Sequence, residues 1–227
     1  MANRCSQGRC AADARAAGGS AVARAAAPAF DPLPGRDRPS DPLGAFQTGT
    51  AASLVTSSGL VKLYLLRHAE AVDATETASG KDEDRALTPR GRRRARALAH
   101  ALRQRGIQCD LVWTSPLVRA RQTADILARG LRLGRAPVVV ESLAPDQPPR
   151  HLVAELQALR PLPDAMMLVG HEPFLSRLAA LLCTGDPDGL DLTLKKCGLC
   201  RLELDSVRAG RCATLEWLIS PRWFDPE

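Results

Sequence analysis

The sequence predicts an α/β layered domain with a mostly parallel sheet. From Val61 onward, short apolar runs alternate with longer amphipathic stretches, which is the pattern of strands joined by crossover helices. Two of these stretches open with a hydroxyl residue followed by proline, at Thr88 and Ser115. Such pairs mark helix starts, because the hydroxyl caps the first turn and proline fits into it. The chain is 45% hydrophobic and 25% charged, enough to form a core and a polar surface.

The first crossover runs from a strand through a polar loop to a helix. Residues 61–66 form the apolar run of the first strand, and residues 73–85 are polar. Thr88 and Pro89 then start a helix that we expect to end at Gly106, because glycine readily takes the left-handed conformation that follows a helix.

The second crossover repeats this arrangement. Leu111–Thr114 is apolar and predicts the second strand. Ser115 and Pro116 predict a helix that ends before Gly130.

The remaining elements follow from the same apolar periodicity. In chain order they are a strand at residues 138–140, a helix at 150–159, a strand at 166–169, a helix at 173–183, and two closing strands at 199–204 and 213–219.

Residues 1–59 differ in composition from the rest. They are rich in Ala, Gly, Pro and Ser and contain few large apolar side chains, so they cannot bury enough surface to offset chain entropy. We predict a disordered extension over residues 1–59 and one folded domain over residues 60–227. The extension lacks the continuous apolar run of a secretory signal peptide. A transit peptide, a linker and an upstream translation start all stay open.

Charge and cysteine content argue against several classes of function. The net charge of +6 comes from arginines scattered through predicted helices without interleaved aromatics, so nucleic-acid binding is not predicted. No apolar run approaches the roughly 18 residues of a membrane span. The seven cysteines are odd in number and unevenly spaced, which favours reduced thiols and a cytoplasmic location. Cys197 and Cys200 form a CxxC without a second pair, which favours a structural role over a zinc or redox site.

Four residues predict the chemistry: Arg67, His68, Arg119 and His171. Each follows a predicted strand, and the carboxyl ends of parallel strands meet at the edge of the sheet where ligands bind. Any one of them alone is more typical of a structural histidine or a solvated arginine. Together they indicate phosphoryl transfer, because arginine donors match phosphate oxygens and a neutral imidazole can attack phosphorus. This set requires no metal and no cofactor.

Three motifs in the sequence resemble those of the histidine phosphatase superfamily, which includes the cofactor-dependent phosphoglycerate mutases. They are LLRHAEA at residues 65–71, TSPLVRARQTA at 114–124 and VGHEP at 169–173. The segment LTPRG at residues 87–91 is similar to a helix start common in that family. The resemblance covers residues 61–220, with the motifs in the order of the family.

The resemblance implies a phosphoglycerate mutase-like three-layer sandwich, with helices on both sides of the sheet. It implies that His68 is phosphorylated and that Arg67, Arg119 and His171 form the phosphate pocket. The short domain most resembles the SixA type of phosphohistidine phosphatase, a branch that accepts Ala69 where the wider family has glycine.

The proton donor is not identified by the sequence. Mutase-like members carry a catalytic glutamate after the third strand, in a segment that residues 141–146 do not match. Glu70, Asp73, Glu141 and Asp146 are weak candidates for the acid. A site without a strong acid favours phosphohistidine on a partner protein, because its imidazole leaves more readily than an alkoxide. The alternatives are a phosphatase or mutase acting on small phosphate esters and, less favoured, a binding module without catalysis.

Overall fold

The computed structural model describes residues 59–225, which form a six-stranded sheet with the order β3-β2-β4-β1-β5-β6. Strands β1 to β4 pair in parallel, and β5 and β6 are antiparallel to their neighbours. The strands are β1 Val61–Arg67, β2 Leu111–Thr114, β3 Val138–Val139, β4 Ala165–Gly170, β5 Leu199–Leu204 and β6 Ala213–Ile219. The helices are α1 Pro89–Gln104, α2 Val118–Leu131, α3 Pro149–Ala158 and α4 Phe174–Thr184.

Helices cover both faces of the sheet. One hydrophobic cluster joins the sheet to α1 and α2, through side chains such as Leu98 and Leu127. A second cluster joins the opposite face to α3 and α4, through Leu152 and Leu178. The central strand β4 is buried along its whole length, as expected when both faces are covered. The predicted three-layer α/β sandwich with a mostly parallel sheet is therefore confirmed.

The boundaries of α2 differ from the prediction. Ser115 does not cap the helix, since the residue before its first turn is Leu117. The helix also runs past Gly130 and ends where Arg132 takes a left-handed conformation, with φ of 58°. A Cβ atom on Gly130 would lie 2.5 Å from Cβ of Ala99. Gly130 therefore permits close packing of α2 on α1 instead of ending the helix.

The polar loop at residues 73–85 contains two short 3-10 turns, Ala74–Glu76 and Asp82–Asp84. An antiparallel bridge between Ala71 and Leu87 closes the base of this loop. We call residues 73–85 the cover segment, because its second turn packs against the start of α2, beside the strand ends.

Cys197 and Cys200 pack into the clusters on opposite faces of the sheet. Burial raises the pKa of each thiol to about 12. Both observations suit the predicted structural role, because side chains on opposite faces cannot hold one ion.

The predicted N-terminal extension lies outside the described residues, apart from Gly59. None of the helices within residues 59–225 combines the length and the apolar character needed to cross a bilayer.

Candidate active site

The ends of β1, β2 and β4 form a buried surface that we call the pocket floor. It consists of Arg67, His68, Ser115 and His171. Strand β4 lies between β1 and β2, and backbone hydrogen bonds continue past the strand ends. The His68 N–H donates to the Gly170 carbonyl at 3.0 Å, and the Ser115 N–H donates to the Val169 carbonyl at 3.0 Å. The floor is therefore fixed by the sheet itself.

His68 is held as a neutral imidazole with an unprotonated Nε2. Its Nδ1 lies 2.7 Å from the carbonyl oxygen of Ala69, and because a carbonyl only accepts, the proton resides on Nδ1. Burial lowers the pKa of His68 to about 4; the bond to Ala69 opposes this effect, and the charge of Arg119 adds to it. Nε2 is thus unprotonated at neutral pH and carries a lone pair, which accepts a hydrogen bond from Arg119.

Arg119 joins His68 to the cover segment. Its Nε donates to His68 Nε2 at 3.3 Å. Its Nη1 donates to the backbone carbonyl of Asp82 at 2.7 Å, and its Nη2 to the Asp82 carboxylate at 2.9 Å. Thr123, one turn further along α2, accepts from the Ala69 N–H at 3.1 Å and so ties the helix to the end of β1.

His171 has one ring nitrogen without a hydrogen-bond partner among the described residues. Its Nε2 lies 2.8 Å from Ser115 Oγ, and Ser115 Oγ accepts from the Leu117 N–H at 3.4 Å. The hydroxyl hydrogen is then free to be donated to His171 Nε2, which places the ring proton on Nδ1. Within residues 59–225, buried Nδ1 has no hydrogen-bond partner. Burial, followed by the neighbouring His68, lowers the pKa of His171 to about 3.

Arg67 is anchored at one end only. Its Nη1 donates to the Leu194 carbonyl at 2.8 Å, while its buried Nε has no partner in the part of the chain that the structure describes. Burial lowers the pKa of Arg67, and the charge of Glu172 opposes this shift. Unpartnered donors on Arg67 and His171 are what an incoming anion would satisfy.

The four residues predicted as the site therefore lie together. The rings of His68 and His171 have centroids 5.0 Å apart, and Arg119 contacts His68 directly. A nucleophile surrounded by guanidinium and imidazole donors is suited to binding and transferring a phosphoryl group.

The four candidate acids are not brought into contact with these residues. Asp73 lies 3.7 Å from Arg85 in a partly exposed ion pair. Glu70 lies 3.8 Å from Arg90 in a partly exposed ion pair. Glu141 and Asp146 are exposed, and neither side chain forms a hydrogen bond or ion pair within residues 59–225.

Asp82 is the carboxylate that the sequence analysis missed. It lies in the loop that we read as polar and solvated, yet one of its oxygens binds Arg119 and the other accepts from Arg85 at 2.9 Å. The hydrogen bond from Arg85, followed by the one from Arg119, lowers the pKa of Asp82 below its ordinary value. The only sequence signal was a run of acids, Asp82 to Asp84, next to Arg85.

A groove of about 900 Å³ is lined by residues that include Lys195 and Lys196, and none of the four floor residues lines it. We call it the basic groove, because its charged lining is Arg90, Arg94, Lys195, Lys196, Arg222 and the acidic Asp225. The Cys197 N–H, next in the chain, donates to the carbonyls of Arg67 and His68 at 3.1 Å. The charge of Lys196 also contributes to the lowered pKa of His68. Backbone hydrogen bonds therefore connect the segment that lines the groove to the end of β1, and the charge of Lys196 in the groove acts on His68.

Across residues 59–225, no group of three or more His, Cys, Asp and Glu side chains is placed to hold a metal ion.

The model of the histidine phosphatase superfamily (branch 1) matches residues 63–143. The chain is 30% identical over 162 residues to the phosphohistidine phosphatase SixA of Escherichia coli, covering 71% of this chain and 94% of that protein. It is 39% identical over 169 residues to an uncharacterized protein of Picosynechococcus, covering 73% of this chain and all of that one.

Solved structures show the same fold. The protein histidine phosphatase SixA complexed with tungstate has a TM-score of 0.62 and 25% identity, covering 71% of this chain and 97% of that chain. A putative SixA from Nakamurella multipartitia, at 24% identity and a TM-score of 0.60 over 72% of this chain and 97% of that chain, supports the fold alone.

Proposed function

The chain belongs to the histidine phosphatase superfamily, in its SixA-type branch, and we propose that this phosphatase hydrolyses phosphohistidine through a phosphoenzyme formed on His68. Attack by Nε2 on phosphorus would transfer the phosphoryl group to the enzyme, and water would then release phosphate. The route needs only side chains of this chain.

The state of His68 is the observation that carries the proposal. The hydrogen bond from Nδ1 to the Ala69 carbonyl fixes the tautomer, and burial keeps the ring neutral. A histidine with a purely structural role could also make the hydrogen bond to the Ala69 carbonyl. It would not need an unprotonated Nε2 that accepts a hydrogen bond from a buried arginine.

Arg67, Arg119 and His171 would stabilise the charge of the transferring phosphoryl group. Arg67 and His171 each have a buried donor without a hydrogen-bond partner among the described residues, and Arg119 donates to the exposed carboxylate of Asp82. Preorganised donors of this kind contribute about 10²- to 10³-fold each to turnover. As phosphate enters, the negative charge raises the pKa of His171 and favours its protonated form, whose positive charge stabilises the anion.

Phosphohistidine on a protein is the substrate that the relatives and the basic groove favour. The similar Escherichia coli protein is named a phosphohistidine phosphatase. The groove provides a cationic surface larger than one phosphate requires, as a site for an acidic protein surface would. The alternative is a small phosphate ester, which would occupy only part of the groove.

Quenching in alkaline detergent tests the covalent step, because phosphohistidine is stable in base and is hydrolysed in acid. Full-length protein mixed with a radiolabelled protein that carries chemically introduced phosphohistidine should yield an acid-labile, base-stable label. Peptide mapping should place the label on His68. Label elsewhere, or turnover without label under single-turnover conditions, would overturn the proposed route.

Charge reversal tests the protein substrate. Lys195→Glu combined with Lys196→Glu should raise KM for a phosphohistidine protein by about tenfold, with a weaker salt dependence, because surface charges steer association. The matched control is Arg135→Glu, an exposed cation in the loop after α2. An equal effect on p-nitrophenyl phosphate would show that the lysines tune the pocket and do not contact a protein partner.

A further inference from the structure

Asp82 occupies the donors of Arg119 that a phosphoryl group would use. The guanidinium contacts His68 through Nε and Asp82 through both Nη1 and Nη2. Arg119 is buried, with 6% of its surface exposed, whereas the Asp82 side chain is 58% exposed. The carboxylate thus lies on the outer side of Arg119, and the nucleophile lies on its inner side.

Binding of a phosphoryl dianion must change this contact. The dianion competes for Nη1 and Nη2 with two charges against one, and arginine binds phosphate in the same forked geometry as carboxylate. Asp82 would remain beside the site, because Arg85 still holds its other oxygen. A carboxylate that loses a cation and gains a neighbouring anion is protonated more readily.

We propose that Asp82 is the proton donor to the leaving group, released from Arg119 by the incoming phosphoryl group. This proposal rests on the proposed function. In an in-line displacement the leaving atom lies opposite His68 Nε2, on the outer side of the phosphoryl group. Asp82 is the carboxylate found on the outer side of Arg119.

The step balances in protons and charge. His68 Nε2 forms a bond to phosphorus as the bond from phosphorus to the leaving oxygen or nitrogen breaks, and the Asp82 proton moves to that leaving atom. The products are the neutral alcohol or imidazole, phosphorylated His68 and ionised Asp82. In the second step Asp82 accepts a proton from water, the resulting hydroxide oxygen bonds to phosphorus, and the bond to Nε2 breaks.

The groups that face Asp82 determine its pH dependence. Arg85 lies on the same segment and is also near Asp73 at 3.7 Å. Arg119 faces it from α2, and His171 is near enough for the Asp82 charge to act on its pKa. In the free enzyme the pKa of Asp82 is lowered by Arg85 and Arg119, so the carboxyl is ionised at neutral pH. With phosphate on Arg119, its pKa should rise. The reactive protonated form is then lost as pH increases through that raised pKa, which gives kcat an alkaline limb.

Asp82→Asn tests the role, because asparagine keeps the size and a hydrogen-bonding oxygen but has no proton to give. We expect kcat/KM for an alkyl phosphate such as phosphoglycerate to fall about 10²-fold, the low end of general acid catalysis, and that for p-nitrophenyl phosphate to stay within about threefold. The alkaline limb should disappear. Phosphoenzyme should accumulate from the aryl substrate, because the second step lacks its base.

The matched control is Asp84→Asn, an exposed carboxylate in the same turn that accepts from Ser79 at 2.6 Å. It should behave as wild type. An equal loss on alkyl and aryl substrates with Asp82→Asn would overturn the proposal and leave Asp82 as a positioning residue for Arg119. No loss on either would also overturn it. If wild-type protein gives no label on His68, the proposed function has failed instead, which is a separate readout.

Discussion

The pocket floor and the cover segment line the same site but are built differently. The floor consists of residues at the ends of buried parallel strands, and its backbone hydrogen bonds belong to the sheet. The cover segment consists of two 3-10 turns in which no residue is fully buried. It is held by ion pairs such as Arg85 with Asp82 and by the Ala71–Leu87 bridge at its base.

Because they are built differently, we expect the two regions to have different roles in catalysis. Charges fixed in a buried, rigid frame can stabilise a transition state without reorganisation. Charges on an exposed turn have little packing to break and can exchange partners when substrate arrives. Substitutions in the floor should therefore abolish chemistry, whereas those in the cover should tune it.

His68→Ala breaks the floor most severely. We expect a loss of at least about 10⁴-fold in kcat on every substrate, because no nucleophile remains. Tungstate should still bind, since the arginines remain. Stopped assays and calorimetry would check both. Substantial turnover by the variant, with an unchanged thermal transition, would show that His68 is not the nucleophile.

Arg119→Lys keeps the positive charge but removes the planar set of guanidinium N–H donors. Lysine cannot contact His68 Nε2 and Asp82 together as the guanidinium does, so we expect kcat/KM to fall about 10²-fold on aryl phosphate and phosphohistidine alike. Arg121→Lys, a neighbouring exposed arginine, is the control. If the two variants were equally active, Arg119 would act only as a point charge.

Arg85→Ala loosens the cover segment. Arg85 donates to the Val72 carbonyl at 2.6 Å and to Asp82 at 2.9 Å. Because exposed ion pairs contribute about 0 to 1 kcal/mol, we expect a loss of up to about fivefold in kcat/KM. Since Arg85 lowers the pKa of Asp82, the alkaline limb should move to higher pH. Lys81→Ala, which removes an exposed pair with Glu83, should leave the limb in place.

Removal of residues 1–56 should have the smallest effect. Their composition contributes no core and they carry none of the three motifs, so a protein beginning at Ser57 should keep activity within about twofold. A soluble, folded but inactive truncation would show that the extension takes part in the site and would revise the predicted domain boundary.

The sequence was sufficient for the floor because strand periodicity and helix starts are local signals. Runs such as Leu111–Thr114 locate strand ends, and parallel strands bring those ends together whatever the details of packing. The predicted start of α2 was wrong because Ser115, a typical capping residue, binds His171 instead of capping the helix. Local sequence could not show this contact, because the two residues are distant in the chain. The predicted end of α2 was wrong for a similar reason, because Gly130 is small to allow close contact with Ala99 and does not end the helix.

The cover segment could not be predicted in the same way. A run of charged residues in a loop has the composition of a solvated surface, and only the folded chain shows that Asp82 reaches Arg119. The argument from a missing acid toward phosphohistidine is weaker for that reason. The substrate proposal now depends on the relatives and the basic groove.

The reaction rates of the buried cysteines report how often the surrounding parts of the domain open. Of the five cysteines within residues 59–225, Cys109, Cys197, Cys200 and Cys212 are buried, and burial raises the pKa of Cys109 to about 11. Alkylating reagents attack the exposed thiolate, so such groups react only when the surrounding structure opens. The Cys197 N–H donates to the His68 carbonyl at the pocket floor, and Cys109 precedes β2 at the opposite, amino-terminal end of the parallel strands. Pulsed alkylation of these two sites, read by mass spectrometry, would time separately how often each end of the domain opens in solution.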